Sequence, residues 1–189
     1  GVTSTTQGSS GSGGQGWLSG VIRNGGGTPA GIIKTGVGEL WLTGANTFDG
    51  PVSIQGGLLT VSSIANGGVA GQLGASSAAP GNLVLSNGGA MNYTGGAAST
   101  DRGFSIDGTA AGGVGTLSAN GSGALTMAAT TSPGGVTLNE PRTVDLAGSS
   151  TAANTLAANI ADNGTAPVSV TKNGGGVWVK ERKQGQSEM

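Results

Sequence analysis

A stretch near the start of the chain comes back near its end. Residues 32–42 (IIKTGVGELWL) are answered by residues 169–179 (SVTKNGGGVWV). Lys34 and Lys172 stand 138 residues apart, as do Ile22 and Ile160. A register held that long marks an internal repeat. Repetition constrains the fold more than any motif inside it, because each unit must bury its apolar face against the next. Residues 31–61 show what the unit is made of. Three short pieces, 39–43, 52–55 and 58–61, alternate apolar and polar residues, and each is bounded by Gly, Asn or Asp. A period of two puts the apolar residues on one face of a strand, and the bounding residues supply tight turns.

Composition removes the competitors. The 189 residues include 41 glycines, with 9% charged and 3% aromatic residues. Each glycine inside a helix costs roughly 0.8–1 kcal/mol relative to Ala, so long helices are excluded. Charge is too scarce, and Val, Ile, Leu and Thr too regularly spaced, for a disordered chain. No Gly-X-Y period signals collagen. The net charge of −1 comes from eight basic and nine acidic residues spread thinly, leaving no basic stripe for nucleic acid. No apolar run of about 18 residues reads as a membrane-spanning helix. Cysteine and histidine are absent, which removes disulfides, zinc sites and the Ser-His-Asp and Cys-His sets. No cofactor is expected.

Residues 1–16 are rich in Gly, Ser and Thr and read as a flexible lead-in. Apolar text begins at 17–23, and residues 62–81 read as a long loop. Strands are expected at 82–86, 90–94, 104–107, 114–119, 124–128, 136–139, 143–147, 154–161, 168–171 and 177–180. Apolar pairs two residues apart recur along them: Val52/Ile54, Leu83/Leu85, Met91/Tyr93, Phe104/Ile106, Leu125/Met127, Val136/Leu138, Val144/Leu146 and Val168/Val170. Short strands with Gly-rich breaks fit a sandwich or a solenoid. The strand–turn unit recurs without long Greek-key crossovers, and Asn-Gly-Gly turns recur at 87–89 and 173–175. Both features favour an all-β parallel β-helix with about three short strands per coil. Such a coil takes roughly 21–27 residues, so residues 17–179 make on the order of seven coils.

Lys34, Gly36, Gly38, Leu40, Leu42, Gly44, Asn46, Thr47, Phe48 and Gly50, followed by Leu59 and Val61, form a pattern. On these residues the segment 31–61 resembles the autotransporter-associated β-strand repeat, and residues 168–179 resemble the opening of a second one. The resemblance implies a right-handed β-helix in the passenger region of a large secreted or surface-displayed bacterial protein. Residues 17–179 then form the solenoid, one full repeat unit plus the start of the next. After Val179 the pattern gives way to KERKQGQSEM, so 180–189 reads as a charged tail outside it. The chain opens at Gly1 without a signal peptide and reads as a piece of something longer, outer-membrane-associated through a parent chain.

The leading expectation for function is a non-catalytic structural or adhesive stalk. Its partners are neighbouring repeats of the parent chain and host or matrix glycans or proteins. Lys34 and Lys172 read as recurring at equivalent places, as do Trp41 and Trp178, and the pattern suggests a Trp ladder that stacks on sugar rings with Lys beside it for acidic groups. The competing reading has Trp shielding the outer sheet face with Lys lying along it. Asp101 and Asp107, with Arg102 beside the first, suggest the alternative of a polysaccharide-active β-helix enzyme. Asp is also a common turn residue, and Asp49, Asp145 and Asp162 read that way. A third possibility is end-to-end self-association through open terminal strands. Far-UV circular dichroism is expected to show a β-sheet minimum without helical features; a helical or random-coil spectrum would refute the all-β reading.

Overall fold

The computed structural model describes residues 13–107, 113–133 and 139–181. The expected strand at 136–139, with Val136/Leu138, lies almost wholly outside the described residues, as do most of the lead-in and of the charged tail. β1 (Gln15–Leu18), β2 (Ile32–Lys34), β3 (Glu39–Leu42), β4 (Val52–Ile54) and β5 (Leu58–Val61) come first. A 3-10 turn at Pro80–Asn82 leads into β6 (Leu83–Ser86), β7 (Ala90–Tyr93), β8 (Ala98–Thr100), β9 (Ser105–Asp107) and β10 (Gly113–Ala119). β11 (Leu125–Met127), β12 (Arg142–Ala147), β13 (Asn154–Leu156), β14 (Val168–Lys172) and β15 (Trp178–Lys180) follow.

Three sheets result. The long sheet has the order β1-β3-β5-β7-β10-β12-β14, the second β2-β4-β6-β9, and the third β15-β13-β11-β8. Every strand pairing in them is parallel. The chain returns to the long sheet on each pass. Gln15, Glu39, Leu58, Ala90, Thr116, Asp145 and Thr171 are successive register partners, separated by 24, 19, 32, 26, 29 and 26 residues. That spread is wider than the 21–27 expected. The 32-residue pass is long because residues 62–79 form a loop with no strand of their own.

Stacked passes line up equivalent side chains. Leu40, Leu59, Met91, Leu117 and Leu146 register on one another, and none is more than 4% exposed. Six of the expected apolar pairs are buried: Val52/Ile54, Leu83/Leu85, Met91/Tyr93, Phe104/Ile106, Leu125/Met127 and Val144/Leu146. Val168/Val170 departs from the pattern. Val170 registers on the buried Val144 but is 44% exposed, because β14 is the last strand of its sheet and nothing described covers it. Three strands were not among those expected: β1, whose first two residues fall in the stretch read as a flexible lead-in, β2 and β8. Ala98-Ser99-Thr100 has no large apolar residue and extends through its pairing with β11. The expected strand at 154–161 ends at Leu156.

Buried asparagines tie passes together. Asn46 is fully buried; its Oδ1 accepts the Ile22 N–H at 2.8 Å, and its Nδ2 donates to the Gln72 carbonyl at 2.8 Å. Asn154, also fully buried, accepts the Leu125 N–H at 2.8 Å and donates to the Val177 carbonyl at 2.8 Å. Each amide thus satisfies one backbone group on the pass before it and one on the pass after. At the corners the passes approach so closely that side chains are excluded. Gly57 has φ +63°, and a Cβ there would fall on the Gly38 carbonyl oxygen of the preceding pass. Gly57→Ala is expected to destabilise by more than about 1 kcal/mol, and Leu59→Ala by about 2–5 kcal/mol. Denaturant titration followed by circular dichroism checks both.

Candidate functional site

Asp101, ahead of β9, and Asp107, its last residue, have separate partners. Arg102 is 3% exposed and spends its guanidinium on the 62–82 loop. Nε donates to the Ala65 carbonyl (3.0 Å), Nη1 to the carbonyl and Oγ of Ser76 (3.1 and 3.0 Å), and Nη2 to the Gly74 carbonyl (2.7 Å). Burial lowers its pKa from the ordinary arginine value, and the neighbouring Asp101 partly offsets this. Asp101 Oδ1 accepts the Gly67 N–H at 2.7 Å, and Thr100 Oγ1 donates to the Ala65 carbonyl at 2.9 Å. Residues 100–102 therefore pin the long loop to the next pass. Asp107 faces elsewhere, 3.9 Å from the buried Arg142 Nη2. Among the described residues no group of three or more Asp or Glu is placed to hold a metal ion.

Asp145 is not a turn residue, contrary to expectation. It lies within β12, and its Oδ1 accepts from Thr171 Oγ1 (2.8 Å) and Asn173 Nδ2 (2.6 Å) across the sheet. A ladder of polar side chains runs along the long sheet as well. Gln15 Nε2 donates to Glu39 Oε2 (2.7 Å), and Thr60 Oγ1 donates to Glu39 Oε1 (2.5 Å). Asn92 Nδ2 donates to Thr60 Oγ1 (3.1 Å), Asn120 Nδ2 to Asn92 Oδ1 (2.8 Å), and Ser149 Oγ to Asn120 Oδ1 (2.9 Å). Six passes are joined by one chain of side-chain hydrogen bonds, in which Thr60 and Asn92 are buried.

The lysines and tryptophans separate. Lys34 is 5% exposed, and its Nζ donates to the carbonyls of Thr35 (2.9 Å), Gly36 (2.8 Å) and Gly56 (3.0 Å). Burial lowers its pKa from the ordinary lysine value. All three donors are used inside the fold. Lys172 makes the two local bonds, to Asn173 and Gly174 carbonyls at 2.9 Å each, and is exposed. Trp41 and Trp178 are not equivalent. Lysine to lysine is 138 residues, so Trp178 answers Leu40 rather than Trp41, and a one-residue offset in a strand turns a side chain to the opposite face. Trp178 accordingly packs against the core and donates Nε1–H to the Ala147 carbonyl at 2.8 Å. Trp41 points outward between the buried Leu40 and Leu42.

The residue that the sequence reading missed is Trp17. It registers on Trp41 across β1 and β3, so the two indoles lie on the same outer face one strand apart, about 4.8 Å. Trp17 is 58% exposed. The two tryptophans stand 24 residues apart, the length of this one pass, which only the register reveals. Gln15 and Glu39 flank the pair two residues earlier on the same strands, adding polar groups beside the rings.

Over 86 residues the chain is 45% identical to the adhesin BmaC autotransporter of Brucella suis biovar 1 (strain 1330). That match covers 46% of this chain and 2% of the adhesin's length. No protein-family model matches the chain. No solved structure matches it either.

Replacing Arg102 strips several buried carbonyls of their donor. Arg102→Met is expected to cost about 3 kcal/mol or more. It should also speed hydrogen exchange selectively in residues 62–79, which an NMR exchange series would detect.

Proposed function

We propose that the three parallel sheets are the walls of a right-handed parallel β-helix, with its body in residues 17–179 between the lead-in and the charged tail. Residues 31–61 are an autotransporter-associated β-strand repeat, and the chain is a non-catalytic adhesive and structural passenger segment of a large secreted or cell-surface bacterial protein. The carrying observation is the conjunction of one-directional stacking with 45% identity over 86 residues to an autotransporter adhesin. The parent chain holds the segment at the outer membrane. The absence of a catalytic role is supported by how Arg102 and Asp101 are used: both serve the loop, and neither faces an open carboxylate pair.

Such a rod transmits load because each pass is hydrogen-bonded to its neighbours along the long sheet. Adhesion falls to the outer face of the long sheet. Trp17 and Trp41 offer apolar ring faces to a glycan, with Gln15 and Glu39 positioned for its hydroxyls. Lys34 and Trp178 are engaged within the fold, and Lys172 serves the corner that follows it. In a glycan-array or immobilised-matrix assay the chain is expected to bind saturably, and Trp17→Ala to weaken binding roughly tenfold with an unchanged circular dichroism spectrum. Binding that survives Trp17→Ala and Trp41→Ala together would rule out this face.

A further inference from the structure

The two copies of the repeated text differ in their cover: the first has a pass stacked on it, and among the described residues the second does not. Lys34 ends β2, and its ammonium bonds two carbonyls of its own corner and a third, Gly56 O, from the Gly-Gly corner of the next pass. Lys172 ends β14 in the same manner, bonds the same two positions of its own corner, and has no third acceptor among the described residues. Lys180 ends β15 and likewise turns onto the following carbonyl, Glu181 O at 2.6 Å. The local structure repeats upstream as well, with antiparallel bridges Gly25–Thr28 and Asn163–Ala166 at the same 138-residue offset.

Apolar side chains are exposed at this end where their counterparts inside the stack are covered. Val170 is 44% exposed where its register partner Val144 is fully buried. Val177 and Val179, in and beside β15, are 42% and 43% exposed. β14 and β15 are edge strands of their sheets, so each also presents unpaired backbone groups.

We propose that the end formed by β14 and β15 is a docking face for one further pass of strand carrying a Gly-Gly corner, whose first glycine carbonyl takes the third N–H of Lys172 as Gly56 takes that of Lys34. The occupant is a following stretch of repeat text resembling residues 42–61, which already docks in this way on residues 31–41. The inference rests on the β-helix reading and adds to it the side chain that reads the incoming corner.

The test replaces residues 180–189 of the full chain with a copy of residues 42–61 and compares hydrogen exchange with the unaltered chain. Amides of β14 and β15 are expected to exchange roughly 10- to 100-fold more slowly in the extended chain. Lys172→Met should remove much of that slowing in the extended chain, a larger effect on β14 and β15 than it has in the unaltered chain, where the ammonium bonds only its own corner. No slowing, slowing indifferent to Lys172→Met, or an extended chain that aggregates would each overturn the proposal. Slowing of the unaltered chain that grows with concentration, with dimers in light scattering, would make a second copy the occupant and overturn it too. These failures leave the β-helix reading standing. A spectrum of the unaltered chain without β-sheet would take both down.

Discussion

The spacing between stacked strands, about 4.8 Å, is the constraint from which the rest of this structure follows. At that distance parallel passes must present the same kind of side chain at the same place, so Leu40, Leu59, Met91, Leu117 and Leu146 form one column. Where the chain turns between sheets, the backbone of one pass lies against the carbonyls of the last, and a Cβ has no room. Gly57 against Gly38 shows the case plainly. The glycine content that excludes helices is thus the same feature that permits close corners.

Polar groups inside such a stack have few places to go, and the fold uses them on backbone groups of other passes. Asn46 and Asn154 bridge the passes before and after, Lys34 gathers three carbonyls at a corner, and Arg102 holds the long loop. Side chains committed in this way are not available for chemistry. Facing outward on the long sheet is a pair of indoles, Trp17 on Trp41.

The repeated text and the sheets are out of phase. Residues 32–34 form β2 in the second sheet, whereas their counterparts at 170–172 belong to β14 in the long sheet. The same lysine–glycine corner therefore joins the second sheet to the long sheet at one end of the chain and the long sheet to the third at the other. Outward residues that recur in the text consequently recur on a different sheet, and a ladder of identical side chains down one face is not what this repeat builds. The stacked pair is Trp17 on Trp41, one pass apart, rather than any pair one repeat apart.

The sequence by itself determined the all-β class, most of the strands and the inward face of six apolar pairs, because alternation and glycine punctuation are local properties of the chain. Tertiary structure decided what depends on which pass lies above or below. β8 is a strand because β11 pairs with it, Asp145 is a cross-strand acceptor because Thr171 and Asn173 arrive beside it, and Arg102 is a loop clamp because residues 65–76 fold back over it. The same holds for the candidate contact face. Trp41 was legible as a residue, but its partner depended on a pass length, and passes of 19 to 32 residues cannot be read from a fixed period. Lys34 and Lys172 hold equivalent places in the repeated text and differ in burial because the first is covered by a following pass and, among the described residues, the second is not.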